Sequence, residues 1–140
     1  MRVGILGGTF DPIHSAHLEL AREAADRWSL DRVLFIPAGN PPHKHAETPY
    51  EHRYRMVELA CAVDPRFVPS RMEEGVAKSY SIHTIERVKA EGGEVFGAQL
   101  LRLLGRMQWV AEQQERAGDV RFFCCEHRGL ASAIGMAAEV

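Results

Sequence analysis

Val33-Leu34-Phe35-Ile36 is a run of four large apolar residues with no polar alternation. A strand with one wet face alternates. An unbroken run fits a strand covered on both faces, as in a parallel sheet flanked by helices. The neighbouring segments repeat the theme. Val3-Gly4-Ile5-Leu6 is a second short apolar strand, and a helix is predicted over about Ser15–Trp28, with Leu18, Ala21, Ala25 and Trp28 on one stripe. Thr48-Pro49-Tyr50-Glu51 reads as a helix start, with Thr48 as N-cap, Pro49 in the first position and Glu51 in the third. That helix runs to about Val63 and keeps Tyr50, Tyr54, Val57 and Cys61 near one face. A short strand at Arg66–Pro69, a helix at Ser81–Glu91 burying Ile82, Ile85 and Val88, a stop at Gly92-Gly93 and a strand at Glu94-Val95-Phe96 complete the pattern. Strands and helices in alternation predict an α/β fold with a doubly wound parallel sheet. Ligands of such sheets sit at the carboxyl ends of the strands.

Past Gly97 the character changes. Leu100–Gln114 reads as a helix and Val120–Cys125 as a strand, while Leu130–Val140 is small and apolar without a period. The 140 residues suit one domain with a sizeable core, and a net charge of -2 gives no broad basic face for nucleic acid. The apolar stretch in Met-Arg-Val-Gly-Ile-Leu is too short for a signal peptide, and no run approaches membrane-spanning length. Cys61, Cys124 and Cys125 form neither a disulfide framework nor a zinc pattern, so a reducing cytoplasm is expected. Five of the seven histidines (His14, His17, His43, His45 and His52) fall between positions 14 and 52, which draws attention to the first third of the chain.

There the first strand gives way to Gly7-Gly8-Thr9-Phe10-Asp11-Pro12-Ile13-His14-Ser15-Ala16-His17. Glycines let backbone come close to a phosphate, a helix N-terminus favours negative charge, and histidines three apart face the same way. The three features converge on a nucleotide phosphate. The spacing is neither the G-x-G-x-x-G dinucleotide fingerprint nor a Walker A loop. A plain strand-to-helix turn with surface histidines is the alternative from spacing alone.

The whole string resembles the nucleotidyltransferase superfamily, whose members carry H-x-G-H or T-x-G-H here. Its G-G-T-F-D-P-I-H-x-x-H form is most similar to bacterial nicotinate-nucleotide adenylyltransferases. Pro37-Ala38-Gly39-Asn40-Pro41-Pro42-His43-Lys44 is similar to that family's P-x-x-x-P-P-H-K loop. Weaker likenesses are His52-Arg53-Tyr54-Arg55-Met56 and Ser79-Tyr80-Ser81-Ile82-His83-Thr84-Ile85, the latter beside the family's S-Y-T-x-D-T-L. The resemblance covers about residues 1–98, taken as a Rossmann-like core, with 99–140 as a divergent or incomplete remainder of the same domain.

It implies adenylyl transfer from ATP to nicotinate mononucleotide, with release of pyrophosphate, in NAD biosynthesis. A phosphate oxygen of the mononucleotide attacks the α-phosphorus of ATP. Both reactants are anionic, so positioning and charge stabilisation carry the catalysis. Under the resemblance His14 and His17 contact the ATP phosphates, Lys44 with His43 brings positive charge, and the backbone of Gly7, Gly8, Thr9 and Phe10 lines the nucleotide pocket. Asp11 either touches ligand or caps the following turn. Arg53 has a substrate or supporting role, and Tyr80 and Thr84 lie on the nicotinate side. Magnesium is expected to escort ATP, held by phosphates and water with no protein ligand. Nucleic acid and membranes are not expected partners.

The chain also departs from the family. Ala16 replaces a glycine, and His83 stands where an Asp is usual. Gln99 stands where the family's I-G-x-D has its aspartate, and no S-S-T-x-I-R arginine motif for the triphosphate occurs. The chain stops short of the family's usual length. A frameshift near Gln99 and a divergent tail are the two readings. Either way, the tail is expected to leave the sheet incomplete. A related adenylyl- or cytidylyltransferase, such as pantetheine-phosphate adenylyltransferase, and an inactive nucleotide-binding fragment are the alternative functions.

Overall fold

The computed structural model describes residues 1–39, 47–75, 81–101, 121–126 and 137–139. The elements run β1 (Arg2–Gly8), α1 (Ser15–Arg27), β2 (Arg32–Pro37), α2 (Tyr50–Cys61), β3 (Phe67–Pro69), α3 (Ser81–Ala90), β4 (Glu94–Leu101), β5 (Arg121–Glu126) and β6 (Ala137–Glu139). They form one sheet in the order β3-β2-β1-β4-β5-β6. Every pairing is parallel except β5 with β6, which is antiparallel.

The unbroken apolar run of β2 is explained by burial on both faces. Val33 and Phe35 join Leu6, Leu20, Ala21, Ala24, Ala25, Trp28, Val57 and Cys61 in the cluster under α1 and α2. Leu34 and Ile36 join Val3, Ile5, Val95 and the α3 residues Ile85 and Val88 on the opposite side. Alternate residues of one strand therefore feed two cores, which is the doubly wound arrangement.

Several boundaries differ from the sequence expectation. β1 runs on through its glycines, with Gly7 opposite Ile36 and Gly8 opposite Pro37, so the turn begins only at Thr9. Pro49, not Thr48, is the N-cap of α2, without a side-chain cap hydrogen bond, and the Thr48 N–H donates to the Asp11 carboxylate 3.2 Å away. The α1 apolar face is wider than its predicted stripe, taking in Ala16, Leu20 and Ala24, while Leu18 is only partly buried. β4 extends to Leu101, so the helix expected from Leu100 does not begin there; residues 102–114 lie outside the described residues. β5 corresponds to the strand expected at Val120–Cys125. With β6 beside it the sheet continues past β4, whereas the tail was expected to leave it incomplete. The order reverses at β1: the chain moves outward to β2 and β3, then crosses to β4 on the other side. That reversal is where sheets of this kind bind ligands.

Candidate functional site

The carboxyl end of β1 meets the N-terminus of α1 at this switch point. Neither Gly7 nor Gly8 has a positive φ. A Cβ added at Gly7 would find only the Ile36 carbonyl oxygen, at 3.9 Å, and one at Gly8 would find the Phe10 ring at 3.5 Å, both ordinary contacts. Internal packing therefore does not demand glycine at either place. What glycine provides is open backbone at the sheet end, the surface a phosphate approaches. The left-handed backbone falls instead on Phe10, at φ 51°. A non-glycine residue holds this conformation only when its surroundings enforce it. Here the ring is buried in the α1–α2 core, 6.2 Å from the Phe35 ring and edge-on to His17 at 5.0 Å. The Phe10 side chain thus belongs to the core.

His14 is the N-cap of α1 and His17 its third residue. Their rings lie 4.0 Å apart between centroids. The His14 backbone N–H donates to His17 Nδ1 at 3.1 Å, and the His17 N–H donates to the His14 carbonyl at 3.0 Å. A side chain at this helix position that accepts from the N-cap amide is usually Glu or Gln; here an imidazole does it. Because Nδ1 accepts, the proton of the neutral ring sits on Nε2. Two imidazoles and the positive end of a 13-residue helix thus stand at the strand ends.

Asp11 is bonded to a residue 37 positions away. Its Oδ2 accepts from the Thr48 N–H, and the Thr48 hydrogen bonds, with Arg53 nearby, hold its carboxyl below the usual range. Arg53 is 2 % exposed. Its Nε donates to the Thr48 carbonyl at 2.9 Å, and its Nη1 to the carbonyls of Thr9 at 2.9 Å and Ala38 at 2.8 Å. The Tyr50 ring lies against the guanidinium, 5.4 Å from Cζ to centroid. Burial pushes the Tyr50 hydroxyl up to about 12.

Thr84 is buried on α3, and its hydroxyl donates to the buried carboxylate of Glu73. Glu73 is a partner that the sequence did not single out. His43, Lys44, His45 and Tyr80 lie outside the described residues, and His52 is solvent-exposed on α2. Cys61 is buried, and its thiol is pushed up to about 12 by desolvation. Among the described residues no group of three or more His, Cys, Asp or Glu side chains converges as a metal site would require. No helix among them is long and apolar enough to cross a membrane.

A cytidylyltransferase-like family profile matches residues 5–120, most of the chain. This chain belongs to the cytidylyltransferase-like family. The matched span includes the β1 end, both α1 histidines, Arg53 and Thr84. The chain is 63% identical over 92 residues to a protein of Solibacter usitatus named "Probable nicotinate-nucleotide adenylyltransferase", covering 64% of this chain and 49% of the relative. It is 54% identical over 101 residues to a protein of that name from Geobacter sulfurreducens, covering 69% and 47%. The chain thus spans about half the length of the curated relatives it matches. Among solved structures it is similar to the Plasmodium falciparum nicotinic acid mononucleotide adenylyltransferase complexed with APC. The TM-score is 0.71 at 14% identity, covering 95% of this chain and 68% of that one, a likeness of fold.

Proposed function

We propose that this chain transfers an adenylyl group from ATP to nicotinate mononucleotide, giving nicotinate adenine dinucleotide and pyrophosphate. The observation that carries the reading is the 63% identity over 92 residues to a relative bearing that activity's name. The site geometry agrees with it. His17 presents Nε2–H as a donor, the α1 N-terminus adds its partial positive charge, and the glycine backbone leaves the approach open.

In this reading the mononucleotide phosphate oxygen forms a bond to the α-phosphorus of ATP while the bond to the bridging oxygen of the pyrophosphate breaks. His17 Nε2–H hydrogen-bonds the α-phosphate oxygens as charge develops on them, and His14 offers its ring to the adjacent phosphates. Lys44 adds charge for a substrate phosphate. Magnesium, held by phosphate oxygens and water, would neutralise charge on the triphosphate. Magnesium prefers oxygen ligands to imidazole nitrogens, so the ion would arrive with the nucleotide. The cytoplasm is the proposed location.

Pyrophosphate release should be measured from ATP with nicotinate mononucleotide, nicotinamide mononucleotide or 4'-phosphopantetheine as acceptor. Release with the first in clear preference is the expected result. Preference for 4'-phosphopantetheine would replace the reading with the related transferase, and no release together with no ATP binding would overturn it.

A further inference from the structure

We propose that Arg53 is the positioning residue of this site: one buried guanidinium holds the loop that leaves β1 and both ends of the loop that joins β2 to α2. Among the described residues it donates to the carbonyl oxygens of Thr9 in the first loop and of Ala38 and Thr48 at the two ends of the second, at 2.8–2.9 Å. These positions lie 44, 15 and 5 residues from Arg53 in the sequence. A fully buried cation needs compensation. Here the dipoles of three carbonyls supply it, and the neighbouring Asp11 carboxylate adds Coulombic attraction. The stretch carrying Pro41-Pro42-His43-Lys44 begins after Ala38 and ends before Thr48, so both of its described ends are attached to one side chain.

The same loops are also sewn to each other. Ala38 N–H donates to the Gly8 carbonyl at 2.8 Å, and Thr48 N–H donates to Asp11. Arg53 stands at the crossing of these two ties. Only a planar fork can meet carbonyls arriving from separate directions; a lysine ammonium is a point charge on a single stem and cannot span them. With Nε and Nη1 turned to backbone, Arg53 acts through the Thr9 backbone and the loop ends, and not as a phosphate ligand. This inference rests on the adenylyl-transfer reading for its kinetic consequence alone.

Three measurements test it. In the unaltered chain, the Arg53 Nη1 and Nη2 groups should give separate, slowly exchanging 15N resonances, because the clamp stops rotation about Cζ–Nε; one averaged signal would overturn the proposal. In Arg53→Lys, amide exchange at Ala38 and Thr48 should accelerate about tenfold or more, while Ile5 and Val33 in the sheet keep their protection. Unchanged exchange at Ala38 and Thr48 would overturn it equally. In turnover, Arg53→Lys should lose on the order of 10- to 100-fold in kcat with KM for each substrate within about threefold, the signature of misplaced reacting groups. A rise in KM for one substrate at intact kcat would make Arg53 a direct ligand and sink the positioning role. If the parent chain neither turns over nor binds ATP, the adenylyl-transfer reading fails, while the resonance and exchange results still decide the clamp.

Discussion

The proposed function gives the two ring nitrogens of His17 two different purposes, and substitution can separate them. Nδ1 accepts the His14 N–H at 3.1 Å at the start of α1. The residue is half-buried, so water can take over part of that bond, and His17→Ala should cost about 0.5–1.5 kcal/mol of stability. For a chain of this size that is a melting shift of about 2–5 °C. Nε2–H, in contrast, is the donor assigned to the α-phosphate. Losing one preorganised donor costs on the order of 100- to 1,000-fold in rate, about 2.7–4 kcal/mol. Asparagine places its amide oxygen near the position of Nδ1 and offers nothing at Nε2; glutamine, the usual third residue of a capping box, can also accept from the His14 N–H. His17→Asn should therefore restore the melting temperature and leave turnover low. His17→Gln, the usual residue at this place in a capping box, should likewise restore the melting temperature, and while its amide is turned to the His14 N–H it should leave turnover low. The assays are thermal unfolding and single-turnover pyrophosphate release with protein in excess over ATP. A 15N spectrum should also show His17 as the Nε2–H tautomer. Turnover of His17→Asn within a few-fold of the parent would refute the division of labour, as would an Nδ1–H tautomer.

Other expectations follow from charge and backbone geometry. Lys44→Ala should raise KM for an anionic substrate, and Lys44→Arg should restore it only in part; unchanged KM for both substrates would return Lys44 to a solvated loop role. The carboxyls of Asp11 and Asp64 lie below their ordinary values, through hydrogen bonds from Thr48 and from Arg66 respectively. Depressed folded values mean that both stabilise the fold above the unfolded carboxylate pKa of about 3.9 and lose that contribution as pH falls through it toward the folded value. Denaturant midpoints taken from pH 6 down to pH 3 should fall, and Asp64→Asn should flatten the drop; an unaltered slope would refute the assignment. Gly93 has φ 94°, and an added Cβ would clash with the Met1 carbonyl oxygen, while at Gly92, with φ 92°, it would meet nothing within 4 Å. Gly92→Ala should cost about 1 kcal/mol from backbone strain, and Gly93→Ala distinctly more, read from chemical unfolding. With Gln99 in place of the family's aspartate and no S-S-T-x-I-R motif, the 140-residue chain should turn over far more slowly than the Solibacter relative assayed alongside it; equal turnover would show that other residues replace that motif.

The layered architecture was legible because β2 leaves no other place for four consecutive apolar side chains, and helix periodicity placed α1 to α3 within a residue or two. The histidine pair was legible for a local reason: three residues of helix fix its geometry. What escaped the sequence depends on distant partners. Thr48 fits the pattern of an N-cap, yet the helix starts one residue later, and the Thr48 amide bonds Asp11, 37 residues away. Arg53 sits among Tyr50, Val57 and Cys61 on the α2 face, an intrusion of charge that was the one visible hint of its burial. Its partners are carbonyls, which carry no sequence identity, so no motif could name them. β4 was cut short because Gly97-Ala98-Gln99 has little intrinsic strand preference; pairing with β1 and β5 on either side overrides that deficit.

Among the described residues the sheet begins and ends with strands of three residues, β3 and β6. β3 closes on Pro69, which has no N–H to offer a further strand. Such stubs make poor templates, because a visiting chain could match only a few ladder bonds before the ribbon ends. The six-residue and longer strands lie inside, where their hydrogen-bonding edges are already taken. Two copies of this chain meeting at high concentration during synthesis therefore gain little by joining sheet to sheet. Resistance to fibrous stacking would then be a property of the outline of the sheet and not of any residue at the nucleotide end.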